Sequence, residues 1–134
     1  MHTIVTFLYL ISLYYNDHTS AVAPLHRTDC AVNATMSVIE GRWKVVVLCK
    51  LKEKGEMRFN QIMREIEGIS PRMLAKQLKE LERDGLLYRN VHYEIPPRVQ
   101  YSLTELGKSL IPLLSEMTRW GLNNLMREII EIRE

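Results

Sequence analysis

The chain has 134 residues, 46% of them hydrophobic and 25% charged, with a formal net charge of +2 and two cysteines. Its length and apolar content suit one compact domain with appendages and leave no need for a second. Two cysteines are too few for a structural zinc site, which wants four ligands, so no metal and no cofactor is expected.

Charge is informative in its distribution rather than its sum. Residues 41–103 hold thirteen Lys/Arg against eight Asp/Glu, a balance of +5, whereas residues 1–40 stand at −2 and residues 104–134 at −1. Positive charge gathered on one segment is the footprint of a nucleic-acid-binding module.

The amino terminus, residues 1–29, reads as an apolar extension. Ile4–Tyr15 is a run of about signal-peptide length, and Ala21-Val22-Ala23 imitates a small-residue cleavage site. Against export or anchoring, no Lys or Arg precedes the run, and it is too short to span a bilayer comfortably. Three readings stay open: an exported or anchored segment, an extra helix that extends a dimer interface, and a start assigned upstream of the true one, for example at Met36. The rest of the chain favours a cytoplasmic protein with no membrane partner.

The module proper is expected from residue 30 to residue 104. A short helix over Asn33–Ile39 and a turn at Glu40-Gly41 lead to a helix from about Arg42 to Lys52, made strongly apolar by Val46, Val47, Leu48 and Leu51. The Val-rich run also suits a strand; Trp43, Lys44 and Lys50 at its ends, together with the family resemblance drawn below, favour a buried helix, with Cys49 as a buried small hydrophobe. Gly55 closes the following loop, and Met57 is expected to add a short third strand to a later hairpin.

Phe59, Ile62, Met63 and Ile66 fall at helical spacing and predict a short helix before the turn Glu67-Gly68-Ile69. Ser70 is then a good N-cap, Pro71 suits the first helical position, and Gly85 can take the left-handed conformation that ends a helix, so the next helix spans about Pro71–Asp84. With Leu74, Leu78 and Leu81 set inward at roughly 100° per residue, Arg72, Lys76, Lys79 and Arg83 form an outward basic line broken by Glu80. Such a line can merely solvate an amphipathic helix. Behind a short helix and a glycine turn, it more specifically matches a helix-turn-helix whose second helix enters a major groove of duplex DNA. Ser70, Arg72, Lys76, Gln77, Lys79 and Arg83 are the candidate contacts, with Arg72, Lys76 and Gln77 placed to reach base edges.

A hairpin follows. Leu87–Tyr93 and Val99–Leu103 read as strands, with Pro96 and Pro97 confined to the tip because proline cannot donate a ladder hydrogen bond. Val99, Tyr101 and Leu103 should face the helices, while Arg98, with Arg89 and His92 as neighbours, faces DNA from this wing. Beyond it, Thr104 can cap a helix in which Leu106, Leu110, Leu113, Leu114, Met117 and Trp120 recur at threes and fours, interrupted at Pro112. A single small domain offers too little surface to cover them all, so residues 105–134 are read as a dimerisation region, with Leu113, Met117, Trp120, Leu125 and Ile129 at the interface.

The fold class is therefore mainly α with a small β-hairpin wing, a winged helix-turn-helix with amino- and carboxy-terminal dimerisation helices. In order, GRWKVVVLCKL, RFNQIMREIEGIS, PRMLAKQLKELERDGLLYR and PPRVQYSLTELGKSL, covering about residues 30–120, resemble the HxlR family of winged-helix transcriptional regulators, a bacterial and archaeal group related to the MarR regulators. That resemblance implies a homodimer on a palindromic operator in double-stranded DNA, repressing or activating a nearby promoter. It also implies a sensing role for Cys30, since family members often carry a cysteine just before the first helix, where it meets electrophiles or oxidants in some of them; a small-molecule or electrophile effector follows from this. A helix amino terminus favours the reactive thiolate. Asp29 opposes it, and Ala31 stands where many relatives have proline.

Two other classes compete. No nucleophile elbow, phosphate-binding glycine loop or His-Glu-x-x-His run is present, and three of the four histidines lie in the leader, so no enzyme is expected. A winged helix used for protein contact, without specific DNA binding, is the alternative that the basic line and Arg98 argue against.

Overall fold

The computed structural model describes residues 30–126, so the amino-terminal extension and Ile129 lie outside the described residues. The chain divides into two compact units, residues 1–39 and residues 40–134. In the first unit the described element is α1 (Ala31–Ile39), which begins earlier than its apolar pattern suggests because the Cys30 carbonyl accepts a hydrogen bond from Ala34 N–H at 3.1 Å.

The second unit runs α2 (Lys44–Lys54), β1 (Met57–Arg58), α3 (Phe59–Glu65), α4 (Pro71–Arg83), β2 (Leu87–His92), β3 (Arg98–Leu103) and α5 (Glu105–Asn124). At its centre α2 packs against α3, α4, α5 and β3. Val47, Leu48 and Leu51 are buried on one side of α2, and Cys49 falls on the opposite side at about 100° per residue, so the expectation of a buried Cys49 is corrected: it is exposed.

Helix α4 is fixed at both ends by local chemistry. Ser70 Oγ accepts from Met73 N–H at 3.1 Å, with Pro71 at the first helical position. At the other end Gly85 adopts φ +79°, and the N–H groups of Gly85 and Leu86 bond to the carbonyls of Glu82 and Leu81 at 3.0 and 2.9 Å. This is the Schellman arrangement that glycine permits without a Cβ penalty. Between these caps Leu74, Leu78 and Leu81 are completely buried, as their spacing predicts.

The sheet has the order β1–β3–β2 with antiparallel pairing throughout. Leu87 lies opposite Leu103, His92 opposite Arg98 and Met57 opposite Tyr101. Met57 thus supplies the third strand, and it shares the inner face with the buried Leu87 and Leu103. Thr104 joins this sheet to the helices. Its hydroxyl donates to the Gly85 carbonyl at 2.6 Å and accepts from Gly107 N–H at 3.0 Å, capping α5 against the end of α4. A Cβ on Gly107 would collide with the Leu86 carbonyl, so only glycine allows this approach. Helix α5 continues through Pro112 rather than breaking there, and Pro112 lies on its exposed side.

A buried ion pair sets the seating of α4. Lys44, only 5% exposed at the start of α2, holds Glu80 at 2.8 Å. The hydrogen bond from Lys44 keeps the Glu80 carboxyl below its ordinary range, with Lys76 and Arg83 adding to the effect and partial burial opposing it. A carboxyl whose folded pKa is depressed contributes stability that is full above its unfolded value and is lost as pH falls through the lower folded one. Glu80→Gln should therefore cost about 1–3 kcal/mol at neutral pH, the penalty of leaving a buried donor poorly paired. In denaturant titrations the difference from wild type should shrink as pH falls below about 4, since the unfolded carboxyl titrates near its usual value. A constant difference from pH 7 to pH 3 would contradict this role.

Candidate nucleic-acid interface

Helices α3 and α4 form the motif, joined through Ile66 to Ser70. Ile66 and Ile69 are buried on either side of Gly68, whose φ of +86° reverses the chain above the Trp43 ring. Gln61 Oε1 accepts from Arg58 N–H at 2.7 Å and so anchors the start of α3. The brace that the motif requires is thus built from buried isoleucines and one left-handed glycine.

With the leucines of α4 buried, Arg72, Lys76, Lys79 and Arg83 emerge on the exposed side. Arg72 and Lys79 make no ion pair among the described residues. Lys76 lies 4.0 Å from Glu80, and Arg83 pairs with Asp84 at 3.2 Å, a contact that further favours its charged form. Glu80, which interrupts the basic line along the sequence, is turned inward to Lys44 and is 24% exposed at its side chain. Gln77 is half-buried, its amide donating to Met73 Sδ at 3.2 Å; a thioether is a weak acceptor, readily exchanged for a stronger one. Ser70 is exposed, but its hydroxyl oxygen already serves as the cap.

The wing departs from expectation in two respects. Arg89 lies opposite Tyr101, and alternation puts that pair on the face away from Arg98, so Arg89 is exposed but is not a neighbour of Arg98; His92 is. Arg98 does not project freely from the tip: it is half-buried and bound to Glu94 at 3.1 Å. The tip itself exposes Tyr93 and Ile95.

Arg58 and Arg64 carry no role in the sequence reading, yet they line a cleft with Arg98. The expected strand at Met57 contained the signal for Arg58, because an inward Met57 forces its neighbour outward. The position of Arg64 depends on how α3 packs beside β3, which no local pattern encodes.

Of the expected interface residues on and beyond α5, Leu113, Met117, Trp120 and Leu125 are all exposed, Trp120 by 61%. Leu106, Leu113, Met117 and Trp120 form one stripe along the helix, while Leu114 turns into the core. Cys30 is exposed immediately before α1. Although Cys49 is exposed as a residue, partial desolvation of its thiol pushes the pKa up, with Lys52 opposing. No group of His, Cys, Asp or Glu among the described residues can hold a metal ion.

A family model described as HxlR-like helix-turn-helix matches residues 38–129. The chain is 50% identical over 92 residues to an HTH-type transcriptional regulator of Methanothermobacter thermautotrophicus, covering 69% of this chain and 70% of that one. It is 41% identical over 106 residues to the HTH-type transcriptional regulator YybR of Bacillus subtilis, covering 79% and 82%. Among solved structures, the redox regulator HypR in its oxidized form matches with a TM-score of 0.66 and 43% identity over 71% of this chain and 97% of that one. The reduced form of the transcriptional regulator YodB from B. subtilis matches with a TM-score of 0.66 and 34% identity over 73% and 96%.

Proposed function

The chain belongs to the HxlR-like helix-turn-helix family, and on that premise we propose that this HTH-type transcriptional regulator acts as a homodimer on an inverted-repeat operator in double-stranded DNA. The observation that carries the reading is the division of α4 into a buried leucine side and an exposed side bearing Arg72, Lys76, Lys79 and Arg83. Lys and Arg near phosphates release counterions and supply sequence-independent affinity, while Arg72, Lys76 and Gln77 in the first half of the helix reach base edges. Arg98 adds a contact from the wing. The exposed stripe of α5 supports dimerisation, because burying Leu113, Met117 and Trp120 against a second copy removes a continuous apolar surface from water. Two-fold symmetry then sets the recognition helices roughly 34–36 Å apart, one turn of DNA.

Such a regulator works in the compartment that holds the chromosome, the cytoplasm of a bacterium or archaeon. No described helix is long and apolar enough to cross a membrane. The family and the relatives are transcriptional regulators rather than enzymes.

In gel shifts on fragments selected from genomic DNA by the purified protein, Arg72→Ala and Lys76→Ala should each weaken specific binding by about 1–3 kcal/mol. Affinity should fall steeply with salt, whereas a protein-contact module would show a weak dependence. Trp120→Glu should shift sedimentation at micromolar concentration from dimer toward monomer. Wild-type affinity in both α4 variants would remove α4 from the interface.

A second reading concerns control. Cys30 is exposed at the amino end of α1, and the chain resembles the redox regulator HypR. We take Cys30 as the thiol that links DNA affinity to an oxidant or electrophile, with Cys49 inert. Diamide should change the operator affinity of wild type and of Cys49→Ser but not of Cys30→Ser; an unaltered response in Cys30→Ser would eliminate the idea.

A further inference from the structure

Between the wing and the first helix of the motif lies a cleft of about 570 Å³ lined by Arg58, Arg64 and Arg98, together with Asn60, Gln61 and Glu94. The register explains part of this convergence. Arg58 lies opposite Gln100, which is two positions from Arg98 along β3, so Arg58 and Arg98 share the outer face of the sheet. Gln61 and Arg64, three residues apart, share one side of α3.

The donors in this cleft outnumber what the protein gives them. Arg58 and Arg64 make no ion pair among the described residues. Arg98 is only partly satisfied: a terminal nitrogen lies 3.1 Å from Glu94, but its Nε is buried without a hydrogen-bond partner among the described residues. A buried N–H in this condition is costly and calls for an acceptor. Gln61 spends its carbonyl oxygen on Arg58 N–H, which leaves its amide nitrogen as a further donor. Glu94 is the one carboxylate against three guanidinium groups in the lining.

We propose that the cleft is a phosphate site, in which Arg58, Arg64 and Arg98 share the oxygens of one phosphoryl group and Arg98 exchanges Glu94 for it. Three planar guanidinium forks against a single carboxylate suit a phosphoryl group, whose oxygens accept from several directions. The phosphoryl group has two sources: a backbone phosphodiester of bound duplex, which rests on the DNA-binding reading above, or a free phosphorylated small molecule, which does not.

The test uses the full chain as wild type, Arg58→Gln, Arg64→Gln and, as a charge control away from the cleft, Lys108→Gln. Arg58 anchors α3 through its backbone N–H, so the side chain can be replaced without losing that bond. Each protein is first compared by thermal melting, and Arg58→Gln and Arg64→Gln serve as independent probes should one of them fail to fold. Two quantities are then measured: the slope of log affinity against log salt on a generic duplex, and the change in melting temperature on adding orthophosphate against chloride at matched ionic strength.

If the source is the DNA backbone, the cleft variants should lose about 0.9 of slope per phosphate contact, while Lys108→Gln keeps the wild-type slope. If the source is a free phosphorylated molecule, orthophosphate should raise the melting temperature of wild type but not of the cleft variants, with slopes unchanged. Equal slopes and equal phosphate responses across all four proteins would overturn the inference. Wild type that binds no duplex would sink the operator reading, and the phosphate titration would then decide the cleft by itself.

Discussion

The rotation of α4 about its own axis is the constraint on which the rest of this structure depends. Leu74, Leu78 and Leu81 are wholly buried, and turning the helix by half a revolution would expose all three. At about 1.5–3 kcal/mol for each buried leucine, that penalty far exceeds the 0–1 kcal/mol typical of an exposed ion pair, so surface charge pairing does not decide the rotation. Packing therefore decides the outward face, and the basic residues occupy it as a consequence. The Lys44–Glu80 pair acts along with the leucines because it ties the polar flank of α4 to α2, the helix at the centre of the core.

Position along the axis is controlled separately, by the ends of α4. The Ser70 cap sets where the helix starts after the turn at Gly68, and the left-handed Gly85 sets where it stops before β2. Thr104 then binds the Gly85 carbonyl and caps α5 with the same hydroxyl. One side chain thus couples the end of α4 to the start of α5, the helix that carries the exposed apolar stripe.

The features legible in the sequence are those governed by local rules. Ser70, Pro71 and Gly85 delimit α4 because caps and left-handed backbone depend on residue type at single positions, and the leucine spacing identifies its inner face. The third strand at Met57 is expected from the winged-helix architecture rather than from a local signal, and it is present. What local rules do not carry is pairing between distant segments. The inward turn of Glu80 depends on Lys44 across the core, the separation of Arg89 from Arg98 depends on register, and the company that Arg98 keeps depends on α3 packing beside β3. Cys49 is a milder case: three apolar neighbours in a row suggested burial, but only one side of α2 faces the core.

The most direct test of the account is a hydroxyl-radical footprint of the purified protein on DNA fragments it has selected from the genome. Two α4 helices presented by a symmetric dimer should protect paired half-sites of inverted sequence, with centres about 10–10.5 base pairs apart or a multiple of that spacing. A single unpaired footprint, or selected fragments that share no inverted repeat, would contradict the central claim.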